Sequence, residues 1–131
     1  MAVETIRLTV PATSAAVRIT RAGAAGLATR AGFTYREVEQ LRLAVGEAAA
    51  LLAPEPEGDG TLAVDYDVAP DGLRIDLRLT GPSGDGRAVT AVPEVAAAVL
   101  DASVDEWELL DGGRRLVLVK RLSDLDDGDE F

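Results

Sequence analysis

The side chains of this chain that could do chemistry are few in kind. Neither histidine nor cysteine occurs among its 131 residues. That removes the usual general base, the Ser-His-Asp arrangement, imidazole and thiolate metal ligands, thiol catalysis and disulfides. A metal would have to be held by carboxylate and carbonyl oxygens, a donor set that suits Mg²⁺. Gly81-Pro82-Ser83-Gly84-Asp85-Gly86-Arg87 has the composition of a loop. Its glycines serve either plain turns or a phosphate cradle, and a lone Gly-x-Gly does not choose between them. Arg18, Arg21 and Arg30 belong to one stretch of helical pattern. They form either a solvated face or a patch for an acidic partner. The formal net charge of −10 argues against nucleic acid, whose phosphates would be repelled. It suits a basic protein partner, or solubility alone.

The elements that must position these groups follow from periodicity and breakers. Ile6, Leu8 and Val10 alternate as a half-buried strand does, and Pro11 ends the run. Thr13 or Ser14 can cap a helix to about Arg30, with Val17, Ala24, Leu27 and Ala28 on one face and Gly32 where the chain needs positive φ. Thr34 and Glu37 have the spacing of a capping box ahead of Val38, Leu41, Val45, Ala48 and Leu52, and this second helix must stop before Pro54. Residues 54–60 form a loop. Leu62, Val64, Tyr66 and Val68 alternate, then Leu73, Ile75, Leu77 and Leu79, with Asp71-Gly72 as the hairpin turn between them. A short helix starts at Pro93, and strands near 106–110 and 114–121 flank the turn Asp111-Gly112-Gly113. The order predicts a two-layer α/β (α+β) sandwich, its mixed, mostly antiparallel sheet covered on one face by helices. The chain reads as a single domain over residues 1–122. Residues 123–131 form an acidic tail, too polar to pack and expected to be disordered. No apolar run approaches the ~20 residues of a membrane span. Met1-Ala2-Val3-Glu4 has no signal-peptide character, so a cytoplasmic location is expected.

Ala31-Gly32-Phe33-Thr34-Tyr35 followed by Leu41-Arg42-Leu43-Ala44-Val45-Gly46-Glu47-Ala48, within this element order, resembles the anti-sigma-factor serine kinases. These belong to the histidine-kinase-like ATPase (GHKL) superfamily. The resemblance covers residues 4 to 122 and implies that fold. In the family the second helix carries Glu-x-x-x-Asn, whose Asn coordinates Mg²⁺ and whose Glu serves phosphoryl transfer. The matching positions are Glu47 and Leu51, and Leu has no oxygen to offer a hard cation. The family's Asp-x-Gly-x-Gly, whose Asp accepts from the adenine amino group, falls on Leu79-Thr80-Gly81-Pro82-Ser83. Only Gly81 matches. A slip of one residue would put Thr80 at the Asp position. Gly84-Asp85-Gly86 is the one candidate for the second glycine box. The resemblance therefore implies a regulatory module that grips a sigma factor, an anti-anti-sigma protein or a second copy of itself, without cofactor. No catalytic residue is expected, Glu47 being the residual candidate. Arg18 and Arg21 are the candidate partner contacts, and Leu51 reads as a core residue closing the old pocket. The alternative is a divergent serine kinase using ATP with Mg²⁺ on an anti-anti-sigma protein.

Overall fold

The computed structural model describes residues 3–53, 60–81 and 91–123. The loop at 54–59, the glycines at 84 and 86 and the segment 124–131 lie outside the described residues. Strand β1 (Glu4–Pro11) leads into helices α1 (Ser14–Ala31) and α2 (Tyr35–Leu52). The hairpin β2 (Thr61–Ala69) and β3 (Gly72–Thr80) follows, then helix α3 (Glu94–Ser103) and the hairpin β4 (Glu106–Leu110) and β5 (Arg115–Arg121). The strands lie in the order β1-β2-β3-β5-β4. The sheet expected to be mostly antiparallel is antiparallel at every pairing.

The capping box closes as its spacing requires. Glu37 N–H donates to Thr34 Oγ1 at 3.2 Å, and Thr34 N–H donates to a Glu37 carboxylate oxygen at 2.8 Å. The Thr34 side chain thus satisfies a donor that the first turn leaves orphaned. Helix α1 has no such bond: Thr13 holds the cap position with extended backbone but makes no side-chain cap. Gly32 ends α1 at φ 103, the left-handed conformation its position requires. Every member of the α2 stripe, Val38, Leu41, Val45, Ala48 and Leu52, is buried against the sheet side chains Leu62, Val64, Tyr66, Leu73, Ile75, Leu77, Leu116 and Leu118. In α3, Leu100 is buried while Val95 is 77% exposed.

The β2–β3 turn differs from the expected one. Gly72 pairs with Ala69 as the first residue of β3, and Pro70-Asp71 makes the turn. The glycine answers to crowding instead: a Cβ there would stand 2.5 Å from the Lys120 carbonyl oxygen across the sheet.

No described helix covers the second face of the sheet, and guanidinium–carboxylate pairs line it. Arg7 grips Asp65 with two bonds of 2.7 and 3.0 Å, and Arg115 grips Asp76 with two of 3.0 and 2.8 Å. Arg78 reaches both carboxylates and Arg74 reaches Asp76 and Asp67. The register sets Asp65 directly opposite Asp76, a like-charge pair that the surrounding arginines neutralise.

Candidate functional site

Helix α2 and strand β3 run in the same direction, which brings their C-terminal ends to one side of the molecule. At the opposite end Glu37, in the first turn of α2, accepts from Ser123 Oγ, and Leu122 N–H donates to the Asp71 carbonyl beside the start of β3. Leu51, in the last turn of α2, therefore lies at the same end as Leu79 and Gly81. This is the end to which the resemblance assigns a nucleotide.

The register settles which residue of β3 faces the helices. Leu79 continues the inward series Leu73, Ile75, Leu77 and is buried, its N–H donating to the Arg114 carbonyl at 2.8 Å. Thr80 points the other way, is exposed, and its hydroxyl donates to the Thr61 carbonyl at 3.3 Å. Position 79, not 80, thus holds the inward place. Its isobutyl group cannot accept a hydrogen bond from an exocyclic amine. Gly81 has φ 115, and a Cβ there would meet Gly60 Cα at 2.9 Å. That explains the glycine without any ligand.

Glu47 is half-buried and has no hydrogen-bond or ion-pair partner among the described residues. Leu51, read from the sequence as a core residue, is corrected here. It is only half-buried and stands outside the apolar cluster that takes in Ala48, Ala49 and Leu52. One residue is about 100° of helix, so with Leu52 pointed inward Leu51 turns toward the rim. Leu51→Asn should accordingly shift the urea midpoint by less than about 1 kcal/mol equivalent, where a fully packed Leu would give roughly 2–4. Urea unfolding followed by the fluorescence of the single tryptophan, Trp107, reads the difference.

Sequence reasoning did not single out Arg114. It is half-buried beside Leu79, and its guanidinium donates to the Gly81 carbonyl at 3.4 Å. Only the cross-strand register could have found it.

The arginines of α1 separate into two kinds. Arg30 is paired with Glu4 at 3.3 Å. Arg18 is exposed, and Arg21 lies across α2, its Cδ within 3.0 Å of where a Cβ at Gly46 would stand. The glycine inside α2 costs helix stability of about 1 kcal/mol relative to alanine. In exchange it lets an aliphatic arginine stem lie flat between the helices. Arg18, one turn before Arg21, shares its face, and Arg42 and the 53% exposed Leu43 flank Gly46 on α2. Arg18 and Arg21 thus face α2 beside Leu43 and Arg42, the latter ion-paired to Glu39 at 3.9 Å, in a strip of mixed charge and apolar surface over α1 and α2.

The described residues form a three-helix, five-strand sandwich that carries Glu47 and Leu51, four residues apart, on α2. No protein-family model matches the chain. Curated relatives do. It is 31% identical over 122 residues to the serine-protein kinase RsbW of Halalkalibacterium halodurans, covering 92% of this chain and 73% of that protein. It is 33% identical over 122 residues to the RsbW of Listeria monocytogenes, covering 91% and 75%. With that of Bacillus subtilis it shares 31% over 124 residues, covering 91% and 74%. The chain belongs to the RsbW family of anti-sigma-factor serine kinases. No described helix is long and apolar enough to cross a membrane.

Proposed function

We propose that this chain is a member of the family that regulates by binding a protein and does so without nucleotide. The observation that carries the reading is the pair Leu51 and Leu79, which put hydrocarbon at one end of α2 and β3 where the family's chemistry calls for an amide and a carboxylate. Phosphoryl transfer is mainly positioning and charge neutralisation, and two isobutyl groups supply neither. The residues present therefore do not fit Mg²⁺-ATP. The partner is a sigma factor or an anti-anti-sigma protein, met on the strip of Arg18, Arg21, Arg42 and Leu43. A second copy of the chain is a further candidate partner.

Glu47 keeps the kinase alternative open, because a half-buried carboxylate is available for catalysis if other groups hold the nucleotide. A thermal scan at millimolar Mg²⁺-ATP separates the two. The melting temperature is expected to stay where it is without nucleotide. Saturation at 100 times a dissociation constant would add about 2.7 kcal/mol, a shift of several degrees. A saturable rise would revive the kinase. The docking strip is tested separately, by calorimetry of Arg18→Glu and Arg21→Glu against a cognate sigma factor. Unchanged affinity in both would remove the strip from the proposal.

A further inference from the structure

In an Asp-Gly pair the backbone nitrogen can attack the preceding side chain with little hindrance, because glycine puts no Cβ beside the ring that forms. Five such pairs occur in the chain, and two of them, Asp71-Gly72 and Asp111-Gly112, lie wholly within the described residues. Both stand at hairpin connections, but their surroundings differ.

The Asp71-Gly72 peptide is pinned from both sides. Leu122 N–H is bound to the Asp71 carbonyl at 2.9 Å, and Gly72 is paired with Ala69 and with Arg121 in the sheet. Gly72 is buried, with the Lys120 carbonyl oxygen 2.5 Å and Arg121 Cα 2.9 Å from where a Cβ would stand. A peptide so held cannot rotate its nitrogen toward the Asp71 carboxyl.

The Asp111-Gly112 peptide, between β4 and β5, is open. Both residues are exposed, the Asp111 side chain by 64%, and nothing lies within 4 Å of a Cβ at Gly112. The Asp111 carbonyl accepts one long bond, 3.3 Å, from Arg114 N–H, and Arg115 stands 3.8 Å from the carboxylate. Among the described residues Asp111 is also the one non-glycine with positive φ, at 53. In that conformation Cβ crowds the following carbonyl oxygen, a cost Asp bears better than most residues without escaping it. An isoaspartyl link, whose main chain runs through Cβ, is free of that crowding.

We propose that Asp111 is a site of succinimide formation and isomerisation to isoaspartate. The Gly112 nitrogen bonds to Cγ of the neutral Asp111 carboxyl, and the amide proton leaves with the carboxyl hydroxyl as water. Water then adds to the ring carbonyl attached to Cα and breaks the bond from that carbon to nitrogen. The product is an isoaspartyl link with a free α-carboxylate, and solvent is the only co-reactant. The charge is kept but displaced. The turn gains one main-chain carbon next to Leu110 and Arg115, the last pair of β4 and β5. The proposal is independent of the nucleotide question and of the strip on α1 and α2.

The test ages the full chain in neutral buffer made with oxygen-18 water. Trypsin cuts after Arg74 and Arg114, so the two sites fall in separate peptides, and electron-transfer fragmentation locates each isoaspartate. Isoaspartate carrying one oxygen-18 is expected to accumulate at least about tenfold faster at 111 than at 71, the ratio that a barrier difference of about 1.4 kcal/mol produces. In urea, where neither turn persists, the two rates should converge. Asp111→Glu, whose longer side chain would need a larger ring, should abolish the label at this position while leaving the circular dichroism of the fold unchanged. Equal rates in the folded protein, or isomerisation confined to 71, overturn the proposal. A ratio that survives in urea means that the flanking residues set it, and overturns the assignment to the fold.

Discussion

Tyr66→Ala is expected to lower the free energy of unfolding by about 3–5 kcal/mol, the usual cost of deleting a buried aromatic ring. Tyr66 is 1% exposed, in the middle of β2, and its hydroxyl donates to the Thr20 carbonyl of α1 at 2.9 Å. That hydroxyl makes a buried polar contact between the sheet and the first helix, while the Arg30–Glu4 pair joins them at the surface. Tyr66→Phe should therefore cost only about 1 kcal/mol, the net worth of one hydrogen bond. The same contact governs Gly23, one turn after Thr20. A Cβ at Gly23 would stand 2.8 Å from the phenolic oxygen, and a ring this buried has nowhere to retreat. Gly23→Ala gains about 1 kcal/mol of helix propensity, and the clash of about 1–3 kcal/mol exceeds it. In the background of Tyr66→Phe the oxygen is gone, and Gly23→Ala should become neutral or stabilising. A double-mutant cycle by urea unfolding measures this, and additive effects would mean the two residues do not touch. Alkaline pH gives a second reading. Burial holds the Tyr66 hydroxyl well above its ordinary value of 10.0. The unfolded chain releases that proton near pH 10 while the folded chain keeps it. The contribution is thus complete below pH 10 and declines as pH rises above it. Tyr66→Phe should abolish that decline.

On the opposite face of the sheet, Asp76→Ala is expected to destabilise by about 2–3 kcal/mol, below the 3–5 of a fully buried pair because the arginines around it are partly wet. Asp76 is only 4% exposed although no described helix covers it. The guanidiniums of Arg115, Arg74 and Arg78 shield it. Without the carboxylate these cations repel one another. Asp76→Asn should recover the shape and little of the stability, and added salt should narrow the difference by screening the exposed arginines. The neighbouring Asp65 adds an acid limb. The hydrogen bonds from Arg7, ahead of the weaker opposing effect of burial, hold its carboxyl below the ordinary value of 3.8. A depressed folded value means that the stabilisation is complete above the unfolded value. It drains away as pH falls below about 4 toward the folded one. Arg7→Gln should flatten this acid limb while leaving the alkaline one set by Tyr66. An unchanged acid limb in Arg7→Gln would show that the pairing carries no weight.

Much of this fold was legible from the chain alone. The capping box of Thr34 and Glu37, the stripe from Val38 to Leu52 and the alternation in β2 and β3 are local signals, and each element formed where its own signal placed it. The candidate site was legible only as a set of sequence positions. Leu51 illustrates the limit. Its spacing from Leu41 and Ala48 fits a buried stripe as well as Leu52 does, and only the orientation of α2 on the sheet decides which of two adjacent leucines turns inward. Gly72 shows the same limit at a turn. Its neighbours suggest a hairpin glycine, while the constraint that acts on it comes from Lys120, 48 residues away in sequence.

The sequence by itself determined the elements, the absence of imidazole and thiol chemistry, and the family, since these depend on residue type and short spacing. The tertiary structure decided what long-range pairing decides. It set Leu79 rather than Thr80 on the helix side and laid Arg21 over Gly46. It also ringed Asp76 with arginines from β3 and β5. Each of these joins residues far apart in the chain, and strand register with helix packing, which no local pattern encodes, fixes their geometry.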